Sequence, residues 1–304
     1  MRQRVKAATE RVLTASGVAA LARRRHAGRA LILAYHNIVP EGEAVAGDAS
    51  LHLPQRRFAD QLDVLGRIAD VVPLTDVLAE ARGAARRPRV ALTFDDATQG
   101  MITAGVDELA RRGLPATVFV PPAFVGGRSF WWDAIAKALD GSLADDMRTH
   151  ALAKLAGRDD SVRAWAQEQR LVLREVPLHQ TCAAESQLRA AAARDITFGS
   201  HTWSHPNLSA LAPAELREEL ERPLQWLIDT IGSAVPWIAY PYGLYDEEVV
   251  VAARAAGYEA GLRVEGGWVP HPLEHPMQYE IPRLNIPAGL SLHGFELRVS
   301  GAIS

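Results

Sequence analysis

The stretch RVALTFDDATQG, residues 89–100, drives an apolar run into two adjacent aspartates, Asp95 and Asp96. One unpartnered buried carboxylate is costly and two side by side cost more, so the pair demands a cation, a proton or exposure. The run reads as a β-strand, and six others resemble it: ALILAYH (30–36), ADVVPL (69–74), ATVFV (116–120), DITFGSH (195–201), PWIAYP (236–241) and EAGLRV (259–264). Between them apolar residues recur every three or four positions, as in Phe58, Leu62, Leu65 and Ile68 or Leu216, Leu220, Leu224 and Leu227, the spacing of amphipathic helices. Gly113 and Gly257 stand where a left-handed residue would stop a helix before the next strand. This βα alternation specifies an α/β fold, a distorted (β/α) barrel of about seven parallel strands, with an open doubly wound sheet as the competing arrangement.

The rhythm lapses between Ser129 and Ala193, where an Ala-, Arg- and Leu-rich stretch reads as a helical insertion. The organisation is therefore a basic N-terminal helix (1–29), a barrel over 30–290 carrying the insertion 129–193, and a C-terminal tail (291–304). A chain of 304 residues that is 48% hydrophobic and 23% charged supports a sizeable core. A net charge of -3 argues against a nucleic-acid partner. The single cysteine, Cys182, excludes an intrachain disulfide framework and reads as a small buried apolar residue.

The first 29 residues hold eight Arg or Lys against one acid, Glu10. The apolar stretch VLTASGVAALA between the basic clusters is too short and too interrupted for a membrane span or a signal-peptide core. The chain is accordingly expected in the cytoplasm. Its basic N-terminus reads either as a solvated helix or as one in peripheral contact with an anionic membrane.

A second motif, FGSHTWSHPNL (198–208), answers the two aspartates. His201 and His205 are four positions apart, and Pro206 disfavours helix at His205, so both imidazoles fall on one compact loop beyond a strand end. Two histidines and a carboxylate make a three-ligand site for a divalent ion with positions open to water, the pattern of catalytic zinc. Where a strand ends, neighbouring aspartates can splay, one toward the ion and the other toward a substrate. A DD pair as a turn or cap and two surface histidines are the bland readings. Joint occurrence at the C-terminal ends of strands, where barrel active sites lie, favours the metal site.

These residues resemble the polysaccharide deacetylases of carbohydrate esterase family 4, the NodB-homology domain, over roughly residues 30–290. TFDD looks like that family's first motif and SHTWSH like its second. The resemblance implies Asp95 as general base and Asp96, His201 and His205 as ligands of a divalent metal, with zinc first. The third family motif, RxPYG, appears as AYPYG (239–243), with Ala239 where an arginine is expected. The resemblance still implies that the Tyr242 backbone N–H donates to the oxyanion of a tetrahedral intermediate.

Arg283, in EIPRLNIP, is the candidate to replace the missing arginine; the alternative is a structural or exposed residue. A departing amine also needs an acid, and histidine titrates in the useful range. His36, at the end of the first strand, is preferred to His293 in LSLHGF, in keeping with family members that resemble a circular permutation. His271 and His275 read as loop residues, and Trp131 and Trp132 as core anchors rather than sugar-stacking platforms. The implied activity is hydrolysis of an N-acetyl group from an N-acetylated carbohydrate. A non-catalytic carbohydrate-binding or scaffold barrel, and a deformylase or amidase of another small amide, are the alternatives.

Overall fold

Seven strands lie side by side in the computed structural model, every neighbouring pair parallel. They are β1 (Ala30–Tyr35), β2 (Arg89–Phe94), β3 (Ala116–Val120), β4 (Ile196–Ser200), β5 (Trp237–Ala239), β6 (Ala260–Leu262) and β7 (Leu284–Asn285). Their spatial order is β7-β1-β2-β3-β4-β5-β6. The structure describes residues 2–44, 47–79, 86–138, 143–270, 273 and 277–303.

The sheet curls because one stretch of chain touches both of its ends. Ile281 N donates to Gly261 O and Arg263 N to Ile281 O, while Leu284 and Asn285 pair with Leu33 and Ala34 of β1. Residues 281–285 thus cross the seam between β6 and β1. The expectation of a distorted (β/α) barrel of seven parallel strands holds, with one correction to its strand list. ADVVPL yields only Asp70–Val71, which pairs with Arg89 and Val90 of β2 off the main path, and β7 takes its place. Pro73 has no N–H to continue that ladder, and the chain turns into a 3₁₀ segment at Leu74.

Side-chain alternation sorts the apolar strand residues between the inside and the outside of the barrel. Ala30, Ile32, Ala91, Phe119, Trp237, Ala239, Leu262 and Ile281 cluster inside the barrel. Their neighbours Leu31, Leu33, Val90, Leu92, Val118 and Phe198 form the outer core with helix residues such as Phe58, Leu62 and Leu65. Phe58, Leu62, Leu65 and Ile68 are all buried on the helix Gln55–Ile68, as their spacing predicts. Gly113 (φ 61°) and Gly257 (φ 91°) take the left-handed conformation expected before β3 and β6.

Between 129 and 193 the described residues contain helices and no named strand: Trp131–Ala138, Asp145–Lys154, Asp159–Glu168 and Glu185–Ala192. The basic N-terminus, expected as one helix, forms two, Arg2–Ala15 and Val18–Arg25, because Gly17 (φ 82°) breaks the run. The stretch expected as a tail contains the helix Leu292–Val299, capped by the Ser291 hydroxyl, with Phe295, Leu297 and Val299 buried. That helix packs against the helices Arg2–Ala15 and Gln55–Ile68.

Candidate functional site

Ala91, Thr93 and Asp95 share the inner face of β2, so alternation alone carries Asp95 into the mouth of the barrel. Asp96 would then face outward, but its φ of 71° turns the chain and brings its side chain to the same mouth. Thr202 (φ 63°), His205 (φ 60°) and Tyr242 (φ 59°) are also left-handed non-glycine residues around this mouth. Such conformations cost about 1–3 kcal/mol each and gather where a site dictates side-chain direction.

Asp95 and Arg283 form a buried bidentate ion pair, Arg283 Nη1 to Oδ1 at 2.8 Å and Nη2 to Oδ2 at 2.7 Å. Arg283 is 0% exposed; its Nε donates to Arg263 O and its Nη1 to Thr93 Oγ1. The seam-crossing segment therefore delivers a guanidinium to Asp95, while Ala239 offers none. Burial by itself would raise the Asp95 carboxyl, but the Arg283 charge, helped by His201, holds it well below the usual carboxylate range.

Asp96, His201 and His205 converge beside this pair, all buried. His201 Nδ1–H donates to Ala239 O at 2.7 Å, which leaves the lone pair of Nε2 pointing into the cluster. His201 Nε2 lies 3.1 Å from His205 Nε2, and Asp96 Oδ1 lies 3.6 Å and 3.3 Å from these two atoms. Asp96 Oδ1 is buried and accepts no hydrogen bond among the described residues. Ligands about 2.1 Å from a tetrahedral ion stand about 3.4 Å apart, so the three donors fit a divalent cation. Burial pushes the His201 imidazole down to about 4, keeping it neutral as a ligand must be.

The cluster opens on a cleft whose wall includes His36, Ser50, Leu51, Trp132, Arg148, Leu152, Tyr240 and Tyr242. His36, half-buried just past β1, lies in this cleft, whereas His293 is exposed on the helix Leu292–Val299. His271 and His275 lie outside the described residues. Trp131 is buried, and its Nε1–H donates to the Tyr242 hydroxyl at 3.0 Å. Trp132, also buried, lies 5.1 Å from the His205 ring and 5.8 Å from that of Tyr242, so it packs the site wall from the insertion.

Three contributors escaped the sequence reading. Arg148, on the helix Asp145–Lys154, reaches the cleft while paired with Asp48 at 2.6 Å, and no motif marks it. The Ala239 carbonyl that orients His201 is backbone, legible only once β4 and β5 are known to be neighbours. The left-handed turns at Asp96 and His205 carry no glycine that would have announced them.

Comparison with known proteins agrees with this fold. The structure of the Streptococcus pyogenes deacetylase PplD in complex with acetate superposes with a TM-score of 0.61 at 16% identity, covering 90% of this chain and 99% of that one. IcaB from Ammonifex degensii superposes with a TM-score of 0.60 at 17% identity, covering 90% and 97%. YxkH of Bacillus subtilis (strain 168), which carries the family's name, is 27% identical over 117 residues, 38% of this chain and 41% of YxkH. The alignment therefore spans about two-fifths of that relative. Residues 82–261, more than half of the chain and including both the aspartates and the histidine loop, match the profile of the polysaccharide deacetylases, and the chain belongs to that family.

Proposed function

We propose that the chain removes an N-acetyl group from an amino sugar in a polysaccharide, glycolipid or related glycan, releasing acetate and a free amine. The observation that carries this reading is the set of three convergent donors, Asp96 Oδ1, His201 Nε2 and His205 Nε2, beside the arginine-paired carboxylate of Asp95. Those three residues would hold the divalent ion, with zinc the first choice. A divalent ion bound there supplies Lewis acidity toward the amide oxygen and lowers the pKa of water.

Asp95 takes the proton of the attacking water. Its pairing with Arg283 keeps it ionised and fixes the direction of its oxygens, at the expense of basicity. The Tyr242 N–H, set in a left-handed turn at the cleft wall, donates to the developing oxyanion. His36 gives the proton that the departing nitrogen needs. The Tyr242 ring, fixed by Trp131 and in edge contact with His205, limits the space beside the ligand set.

Acetate release from N-acetylglucosamine oligomers, N-acetylated glycolipids and small N-acetyl sugars tests this with metal-loaded protein. Asp95→Asn and His36→Ala should each lose at least about a hundredfold in turnover, with His293→Ala unchanged. Undiminished release by Asp95→Asn, or none from any substrate by protein carrying stoichiometric metal, overturns the reading.

A further inference from the structure

The two N-terminal helices carry an apolar surface that the barrel does not cover. Val12 is 66% exposed, Leu21 56% and Val18 41%, all within ten residues of chain on either side of the Gly17 turn. Val18 and Leu21, at i and i+3, share one exposed face of the helix Val18–Arg25, on which Arg25 at i+7 places a charge, while Ala19 is buried on another.

The charge around it is of one sign. Arg11, Arg24, Arg25 and Arg29 are exposed, and Arg23 pairs with Glu296. Glu10, the one acid among the first 29 residues, is 5% exposed and accepts a hydrogen bond from the Ser291 hydroxyl, which removes it from the surface. The whole chain has a net charge of -3, so this end opposes the balance of the molecule. No helix among the described residues is long and apolar enough to cross a membrane.

Exposed apolar side chains interspersed with arginines match the layered chemistry of an anionic bilayer, with acyl chains below and negative headgroups above. We propose that the helical pair Arg2–Arg25 docks peripherally on anionic lipid, seating Val12, Val18 and Leu21 among the acyl chains and Arg11, Arg24 and Arg25 among the headgroups. The surface contains none of the residues assigned to hydrolysis. β1 runs from the docking helices to the cleft, a rise of about 20 Å over its six residues. Docking therefore attaches the molecule without closing its site.

Sedimentation of the full chain with vesicles of phosphatidylcholine alone, and with phosphatidylglycerol added, tests the proposal. Binding is expected to the anionic vesicles alone and to fall with salt. Arg24→Ala with Arg25→Ala should weaken it about thirty-fold. Val18→Ser with Leu21→Ser should also release the protein at unchanged charge. All four residues are exposed, and an unchanged melting temperature verifies that the variants are intact. Absence of binding, equal binding to neutral vesicles, or variants that bind like the parent overturn it. So does a concentration-dependent dimer abolished by the Val18 and Leu21 substitutions, which would make a second copy of the chain the occupant. The readout is independent of acetate release.

Discussion

At the scale of single residues, the ion pair between Asp95 and Arg283 dominates the energetics of the barrel mouth. Both groups are buried and their two hydrogen bonds are short and parallel, so neither charge has water to fall back on. Arg283→Met should destabilise the fold by about 3–5 kcal/mol, because it strands the Asp95 carboxylate rather than merely deleting a contact. Adding Asp95→Asn to that variant should recover part of the loss, and urea denaturation of the four-member cycle measures the coupling. A loss below about 1 kcal/mol for Arg283→Met would mean that water replaces the guanidinium and that the pair is structurally incidental. The sequence named Arg283 only as a stand-in for the arginine absent at Ala239. Its arrival at Asp95 depends on the seam-crossing path of residues 281–285, a long-range closure that no local pattern encodes. By contrast strand alternation carries Asp95 inward and the end of β4 carries His201, whereas His205 reaches the cluster through a left-handed turn that the four-residue spacing does not encode.

At the scale of elements, the inner face of β4 sets where the histidine loop begins. Gly199 lies beneath the Phe119 ring, and a Cβ there would fall 2.7 Å from a ring carbon, so the ring can lie across β4 because that position lacks a side chain. Gly199→Val should therefore cost about 1–3 kcal/mol in overpacking. It should also displace His201, two residues on along the same face, and weaken metal affinity more than a stability loss elsewhere would. Thermal melting and a metal titration on the same preparation separate the two effects. Melting lowered with affinity intact would show that the loop is positioned independently of β4. Strands are legible wherever the apolar run is long, as in β1 and β2, which are buried on both faces. Asp70–Val71 stops short because Pro73 follows it and β3 already pairs with Thr93 and Phe94, leaving only Arg89 and Val90 of that edge of β2 open. Around His293, Gly289 and Gly294 are compatible with a loop or a short helix, and packing against two other helices selects the helix Leu292–Val299.

At the scale of the whole molecule, the donors link parts of the chain that lie about a hundred residues apart in sequence. Asp96 follows β2 and the two histidines follow β4, with β3 between them, so an ion held by all three ties the mouth across three strands. The Asp96 oxygen and the two Nε2 atoms lie within 3.6 Å of one another in a buried place, so an ion there would gather all three donors at once. Metal binding must then couple to stability, because the unfolded chain has no preformed site. Zinc at a thousandfold excess over its dissociation constant should stabilise the fold by about 4 kcal/mol. For a chain of this length that raises the melting temperature by on the order of 10 °C. His205→Ala should abolish most of the rise and chelation should reverse it in the parent protein, while His293→Ala, far from the cluster, should keep it whole. Scanning calorimetry with and without zinc measures all three. An equal rise in His205→Ala would place the ion elsewhere on the molecule and remove the three-donor cluster as the reason for its binding.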